Sequence, residues 1–295
     1  MTVLPPLRIR VRLFAMQRET AGTKELRLEV PIGSTVDDAW NAVVVVVPAL
    51  APGRAFLRFA VNGAYAGPET PLADGDEVAC IPPVSGGAGE ADQDEDEADE
   101  DEDDVDDEGE GEADDDDEAV NLPRRILEIR SEPFPADLLG SLVARLATDE
   151  DGGVVAFVGR TRVTPGTPAP GQEAAAAQVA DKAVEGLEYE AFAPLALEVL
   201  ARIADEIEER WGVTHVAIVH RTGTVPLGET SVAVVAASPH RDAAFAAARY
   251  AIDETKARAP IWKAERFADG HVWIGHTART GPVDGAESAA TTDPA

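Results

Sequence analysis

The sequence predicts an α+β protein with two folded domains and an acidic disordered linker between them. Alternating apolar and polar segments, typical of half-buried strands, intersperse with helical patterns in residues 1–87 and again in 120–280. Between these regions, residues 90–118 contain 22 aspartates and glutamates and neither lysine nor arginine. Such a segment is too poor in apolar residues to form a core. We therefore expect a disordered linker over 88–119, and a disordered tail over the small and polar residues 281–295.

The first domain is predicted to follow the order strand, strand, helix, strand, strand. The predicted elements are a strand over 7–13, a second over 26–30 after a turn near Gly22, a helix that begins at Ser34, and strands over 56–61 and 77–81. Asp37 and Asp38 in the first turn favour the helix, although the β-branched run 43–47 favours a strand by propensity alone. This order predicts a ubiquitin-like β-grasp domain whose last strand delivers its C-terminal end into solvent.

Directly after that strand comes the sequence PPVSGG, residues 82–87. A Gly-Gly pair has no Cβ atoms, so its backbone can pass through a narrow channel. If the chain were cut after Gly87, the glycine carboxylate would be a reactive end on a flexible stem. The alternative is that Gly86 and Gly87 are the flexible start of a linker.

The second domain is predicted to be an α/β domain with a mostly antiparallel sheet. The expected strands are 126–129, 154–158, 187–192, 213–219 and 231–236, and the expected helices are 136–147, 194–211 and one from an N-cap at Ser238 to Arg258. Residues 164–181 are rich in proline, glycine and alanine without a clear period, which predicts a mobile loop.

Composition excludes several classes of function. A net charge of −31, of which 22 units come from the acidic segment, argues against binding to nucleic acid or anionic membranes. Cys80 is the only cysteine, so the chain has no internal disulfide and no cysteine-based metal site. We expect it to be a buried and inert thiol. No histidine spacing indicates a metal site, and no signal peptide or membrane span is expected, which predicts a cytoplasmic protein.

Basic residues cluster at three places against the acidic background. They are Arg160 with Arg162, His220 with Arg221, and His240 with Arg241, followed by Lys256 and Lys263, two of only four lysines. Each cluster has a simpler explanation as a solvated loop, the end of a strand or a helix surface. However, His240 and Arg241 are predicted in the first turn of a helix, where free N–H groups and the helix dipole favour an anion.

Lys256 lies near the other end of the same predicted helix, roughly 20 Å or more along its axis. One helix cannot bring His240 and Lys256 to a single small ligand. Either these residues line an elongated site, or Lys256 meets a neighbouring subunit or an incoming chain end.

The first domain contains three motifs in order: residues 61–63 (VNG), 72–78 (LADGDEV) and 81–87 (IPPVSGG). In these motifs, residues 7–87 resemble the small, sulfur-carrying subunit of molybdopterin synthase. Sulfur carriers of thiamine synthesis share the fold and the Gly-Gly end, so this domain alone implies only a sulfur carrier.

The second domain contains five motifs in order: residues 157–162 (FVGRTR), 187–192 (LEYEAF), 219–223 (VHRTG), 238–241 (SPHR) and 256–265 (KARAPIWKAE). In these motifs, residues 123–275 resemble the large, catalytic subunit of molybdopterin synthase. The segment between Arg162 and Leu187 is longer than is usual in the family, which leaves the loop geometry at the substrate site open.

Together the two resemblances imply a fused molybdopterin synthase. Such an enzyme converts cyclic pyranopterin monophosphate into molybdopterin by inserting two sulfurs, each carried as a thiocarboxylate on Gly87. The resemblance implies that Lys256 is the main catalytic lysine and that Lys263 assists it. It also implies that Arg162, His240 and Arg241 hold the anionic pterin phosphate. No tightly bound cofactor and no metal are expected.

The same resemblance implies several partners: an adenylating activating enzyme, a sulfur donor and a second copy of the chain, joined through the catalytic domain. Because a thiocarboxylate exists only at a chain end, we also predict a processing protease that cleaves between Gly87 and Ala88. The alternative function is a ubiquitin-like protein-conjugation or general sulfur-carrier module with a non-catalytic docking domain.

Overall fold

The computed structural model describes residues 5–84, 124–169 and 172–275. The predictions for Gly86, Gly87, the acidic linker and the C-terminal tail lie outside the described residues. Among the helices within these ranges, none is long and apolar enough to cross a membrane.

The N-terminal domain has the predicted β-grasp architecture. Its elements are β1 (Leu7–Leu13), α1 (Ala15–Ala21), β2 (Glu25–Val30), α2 (Val36–Val46), a 3₁₀ helix (Pro48–Phe56), β3 (Arg58–Val61), β4 (Ala64–Ala66) and β5 (Glu77–Ile81). The sheet order is β2-β1-β5-β3-β4, and the only parallel pair in this sheet is β1 with β5. Because β5 lies beside β1 in the centre of the sheet, the chain leaves this domain from a buried strand.

Helix α2 forms in spite of its valine-rich sequence. Thr35, one residue later than the predicted Ser34, is the N-cap, and it exchanges hydrogen bonds with Asp38 in a capping box. Val36 and Val43 are fully buried against the sheet. The helix prediction is confirmed because a good cap and core burial outweigh the strand propensity of β-branched residues.

Two local predictions for this domain need correction. The connection between β1 and β2 contains helix α1, not only a turn, and Gly22 ends that helix in a left-handed conformation (φ 66°). Strand β3 begins at Arg58 because the 3₁₀ helix occupies Phe56. Cys80 is buried as predicted, and burial raises the pKa of its thiol to about 12, which excludes a thiolate at neutral pH.

The C-terminal domain contains two four-stranded sheets, not one. Its elements are β6 (Arg125–Arg130), α3 (Leu138–Leu146), β7 (Gly153–Arg160), α4 (Glu173–Gln178), β8 (Gly186–Ala191), α5 (Ala193–Trp211), β9 (His215–Arg221), β10 (Gly223–Pro226), β11 (Thr230–Ser238), α6 (Arg241–Arg258), β12 (Ile261–Phe267) and β13 (Gly270–Ile274). The sheet orders are β6-β9-β11-β7 and β10-β8-β12-β13. All pairs except β6 with β9 are antiparallel, which confirms the predicted sheet type.

Two predictions for this domain were wrong in detail. Ser238 is the last residue of β11, and the N-cap of α6 is His240, whose backbone N–H donates to Ser238 Oγ at 3.4 Å. The segment predicted as a mobile loop contains helix α4, and it closes at its base where Val184 N–H donates to Val163 O at 3.0 Å.

Helices α5 and α6 pack on the first sheet and form the largest core cluster with β9 and β11. The start of α6 approaches the start of β7 so closely that a Cβ on Gly152 would lie 2.6 Å from Pro239 O. Only glycine fits there, and this contact fixes α6 across the sheet, with its C-terminal end towards β12.

Candidate functional site

A cavity of about 450 Å³ lies between the two sheets of the C-terminal domain and the C-terminal end of α6. Its volume is in the range of small-molecule sites. Six of the residues that line it carry polar side chains with consequences for chemistry: Arg162, Tyr189, His220, Lys256, Lys263 and Glu265. Three of the predicted site residues, Arg162, Lys256 and Lys263, therefore lie around one cavity.

Lys263 is the more buried of the two lysines. Its Nζ lies 3.6 Å from Glu265 Oε1, and the carboxylate also accepts hydrogen bonds from the backbone N–H of Gly166 at 2.9 and 3.1 Å. Burial lowers the pKa of Lys263, Glu265 opposes the shift, and the positive charges of Lys256 and Arg162 add to it. Such a lysine gives up its proton more easily than a solvated one.

Lys256 lies in the last turn of α6 and is exposed. Its ammonium lies 5.7 Å from the centroid of the Phe157 ring, which is a cation–π distance. Arg162 is also exposed, at the start of the long loop after β7. The cavity therefore has a partly buried lysine on one wall and solvated cations at its mouth, an arrangement that favours an anionic ligand.

Beside Lys263, whose register partner in β8 is Tyr189, the wall formed by Tyr189 and His220 is neutral and hydrogen bonded. His220 Nδ1 lies 2.8 Å from Arg221 O, and its ring meets the edge of Tyr189 with centroids 4.9 Å apart. Tyr189 donates to Ser231 Oγ at 3.2 Å, and Ser231 donates to Gly159 O at 3.3 Å. Burial lowers the pKa of His220 to about 4, so the imidazole is neutral at pH 7. The two hydrogen bonds that link Tyr189, Ser231 and Gly159 hold this wall rigid.

His240 and Arg241 do not line this cavity. Both are exposed at the opposite end of α6, and the guanidinium of Arg241 lies 3.6 Å from Asp242, also exposed. The prediction that one helix cannot bring His240 and Lys256 to one small ligand agrees with this placement.

The N-terminal domain docks beside this cavity through an aromatic cluster. The ring of Phe14 stacks on Trp262 with centroids 4.8 Å apart and meets Phe192 at 5.2 Å. Phe14 is only 3% exposed. Since Trp262 and Lys263 are neighbours in β12, the docking surface and the cavity share one strand.

Polar contacts surround the aromatic cluster. Glu190 accepts from Ala15 N–H at 3.1 Å and lies 3.4 Å from Arg18. Burial raises the pKa of Glu190, and the charge of Arg18 opposes that rise. On the other side, Glu19 accepts from the indole N–H of Trp273 at 3.1 Å. These contacts fix the orientation of the N-terminal domain as well as its position.

The end of the N-terminal domain is held by a hydrogen bond from the indole of Trp262 to Pro82 O at 3.0 Å. Pro82, Pro83 and Val84 are all buried. Pro82, the first residue after β5, therefore contacts the strand that carries Lys263. Gly87, the third predicted catalytic residue, lies outside the described residues.

The loop after Arg162 connects the cavity with the docked domain. Gly166 and Thr167 line the cavity, Ala169 N–H donates to Trp273 O at 2.8 Å, and Ala169 is fully buried in the cluster that contains Phe14. The sequence placed this loop at the substrate site but left its geometry open. It singled out His220 as part of a basic cluster without assigning it a role, and it gave Glu265 no role, although both lie within the motifs that carried the resemblance.

Among the described residues, no group of three or more histidine, cysteine or carboxylate side chains is arranged to hold a metal ion. The polar groups at the cavity are instead suited to bind an anion and to move protons.

Comparison with known proteins gives two family matches in one chain. Residues 129–258 match the family described as "MoaE protein", and residues 11–87 match the ThiS family. The chain is 51% identical over 92 residues to a molybdopterin synthase catalytic subunit of Staphylococcus carnosus, covering 31% of this chain and 61% of that protein. It is 37% identical over 147 residues to such a subunit of Phaeosphaeria nodorum, covering 49% of this chain and 71% of that protein.

Among solved structures, molybdopterin synthase from Staphylococcus aureus is similar at 37% identity with a TM-score of 0.42, covering 50% of this chain and 96% of that chain. The chain spans about 60% of the length of the first curated relatives it matches.

Proposed function

Because the chain belongs to the family of molybdopterin synthase catalytic subunits and carries a ThiS-family domain ahead of it, we propose that it is a fused molybdopterin synthase. It transfers sulfur from a thiocarboxylate on Gly87 to cyclic pyranopterin monophosphate and forms the dithiolene of molybdopterin. This reaction is a step of molybdenum cofactor biosynthesis.

One observation supports the proposal most strongly: the stem at residues 82–84 is buried, and Pro82 is hydrogen bonded to the strand that carries Lys263. A sulfur carrier has to present its C-terminal end to the catalytic group. Trp262 binds the stem through Pro82 O while the next residue, Lys263, lines the cavity. Two adjacent residues of β12 therefore bind the carrier and line the cavity.

In the proposed reaction, each sulfur leaves a Gly87 thiocarboxylate and replaces an oxygen on a carbon of the pterin side chain, so that a C–S bond forms and a C–O bond breaks. Water supplies the oxygen atom that converts the spent Gly87 end into a carboxylate, and two carriers are consumed for each dithiolene. Lys256 is proposed as the main catalytic lysine, which stabilises developing negative charge or moves a proton. Lys263 assists it, and the burial that lowers its pKa suits a group that exchanges protons.

We assign the pterin phosphate to Arg162, His240 and Arg241. Arg162 lies at the cavity, whereas His240 and Arg241 lie at the far end of α6. A homodimer through the catalytic domain is therefore proposed, in which a neighbouring subunit supplies the second part of an elongated site.

The activation of Gly87 requires further partners. A separate adenylating enzyme and a sulfur donor produce the thiocarboxylate, and a protease first cleaves Gly87 from Ala88. We assign residues 1–87 to the carrier, 88–119 to the linker, 120–280 to the catalytic domain and 281–295 to a tail. We place the protein in the cytoplasm.

Replacement of Ala88 by proline tests the cleavage step, because it is expected to block the cut and abolish activity. Separately expressed 1–87 and 88–295, mixed with activating enzyme and sulfur donor, are expected to be active. Formation of molybdopterin by uncut chain at the rate of the mixed pair would show that Gly87 need not be a terminus.

The alternative function is conjugation of Gly87 to lysines of other proteins, with the second domain as a docking scaffold. Incubation of thiocarboxylated 1–87 with 88–295 and the pterin precursor separates the two. A pterin product with two sulfurs supports the synthase, whereas isopeptide-linked adducts without a pterin product support conjugation.

A further inference from the structure

Among the charged side chains that line the cavity, hydrogen-bond donors outnumber acceptors. Arg160, Arg162, Lys256 and Lys263 line it, and a guanidinium or ammonium group can only donate. Glu265 has a carboxylate, but its oxygens already bind Gly166 N–H and lie near Lys263. A ligand that carries N–H groups as well as an anion therefore needs an acceptor elsewhere on the wall.

His220 has the one ring nitrogen in this wall that is suited to that task. Its Nδ1 lies 2.8 Å from Arg221 O, and a carbonyl oxygen can only accept, so Nδ1 carries the proton. The remaining nitrogen, Nε2, is then an acceptor, and within the described part of the chain it makes no hydrogen bond. The side chain is 6% exposed and lines the cavity.

The surroundings of His220 keep this tautomer in place. The Tyr189 ring packs edge-on against the imidazole, and Tyr189 is itself anchored through Ser231 to Gly159 O. Burial first, and the charge of Lys256 in addition, oppose protonation of the ring. A second polar atom of this wall, Thr255 Oγ1, is buried without a hydrogen-bond partner in the described structure.

We propose that His220 Nε2 accepts a hydrogen bond from a ring N–H of the substrate and thereby orients a pterin in the cavity. The inference rests on the proposed function, because it assigns a contact within the same site. It adds a substrate-binding residue outside the predicted set, and it gives the site a preference for anions that carry an N–H donor over anions that do not.

The test uses two substitutions in the full-length chain that separate the two ring nitrogens. In His220→Asn, the side-chain amide can still donate to Arg221 O, but no acceptor remains at the position of Nε2. In His220→Gln, the amide oxygen reaches that position, but the donor to Arg221 O is lost. If His220 has a merely structural role, the His220→Asn variant should retain pterin binding. If Nε2 acts as an acceptor, the His220→Gln variant should retain it.

Two probes are titrated into each protein by fluorescence: pterin-6-carboxylate, an anion with ring N–H groups, and 2-naphthoate, an anion without them. We expect His220→Asn to weaken pterin-6-carboxylate binding about tenfold or more. We expect the Kd of His220→Gln for pterin-6-carboxylate to stay within about threefold of that of the unmodified chain. The Kd for 2-naphthoate should be the same in all three proteins.

Any of three results overturns the proposal. In the first, the His220→Asn variant binds pterin-6-carboxylate normally and the His220→Gln variant does not. In the others, both variants lose binding of 2-naphthoate equally, or the unmodified chain binds no pterin-6-carboxylate. In ¹⁵N-histidine-labelled protein, the Nε2 resonance of His220 should also shift with the pterin and not with 2-naphthoate. A chain that binds the pterin in this way but transfers no sulfur would refute the proposed function and leave this contact standing.

Discussion

Removal of the Phe14 ring should separate docking of the N-terminal domain from its folding. Phe14 is 3% exposed, and its two aromatic neighbours, Trp262 and Phe192, both belong to the C-terminal domain. Burial of a phenylalanine side chain contributes about 1.5–3 kcal/mol, and a well-placed aromatic pair adds about 0.5–1.5 kcal/mol. The lower ends alone amount to about 2 kcal/mol, or about thirtyfold in Kd.

Isothermal titration calorimetry of residues 1–87 against 88–295 measures this loss directly. Phe14→Ala should raise the Kd by at least about thirtyfold, and the melting temperature of 1–87 should change little. Val45→Ala removes apolar atoms from α2, where the side chain is 81% exposed, and should leave the Kd unchanged. A Phe14→Ala domain that is folded and binds with the original Kd would refute the aromatic docking cluster.

Three further changes test the site. Lys256→Ala should reduce turnover far more than thermal stability, because an exposed lysine contributes little to folding; a variant that merely unfolds would make the residue structural. Arg241→Ala should weaken substrate binding by about 1.5–3 kcal/mol, measured by titration, and an unchanged affinity would remove it from the phosphate site. Burial lowers the pKa of His220 from 6.5 to about 4, so the unfolded chain binds that proton more tightly. Stability should therefore be complete above about pH 6.5 and fall by about 3 kcal/mol towards pH 4. Urea unfolding of His220→Gln should lack this component, and an identical pH dependence in both proteins would contradict it.

The elements that were predicted correctly are those with strong local signals. The alternation at 7–13 and the capping residues near Thr35 determine β1 and the start of α2 without help from distant residues. The valine run at 43–47 shows the limit of such signals, since its propensity favours a strand and its burial favours a helix. The helix was chosen because the order of the elements requires one at this point.

The division of the second domain into two sheets could not be predicted from local pattern. It depends on which strands pair, and β8 pairs with β12 across about seventy residues of chain. The same holds for the site: Glu265 meets Gly166, and His220 meets Tyr189, only after these sheets form. Their charge drew attention to Arg162, Lys256 and Lys263, but only the resemblance to the catalytic subunit implied their roles at the site.

The placement of His240 illustrates the opposite case. Its position at the N-terminal end of α6 was predicted to within two residues, but within the described part of the chain His240 does not line the cavity that Lys256 lines. Local sequence can place a residue on a helix, whereas the partner of that residue depends on the assembly.

The fate of labelled sulfur tests whether the Gly87 thiocarboxylate supplies both sulfurs of the pterin product. Residues 1–87 carrying a heavy sulfur isotope in the Gly87 thiocarboxylate are mixed with 88–295 and cyclic pyranopterin monophosphate, and all products are analysed by mass spectrometry. We expect a pterin with two heavy sulfurs and two carriers ending in ordinary carboxylates for each pterin formed, with the product absent when Lys256→Ala replaces the unmodified domain. Heavy sulfur that remains on the carrier or appears as free sulfide, with no labelled pterin, would contradict it.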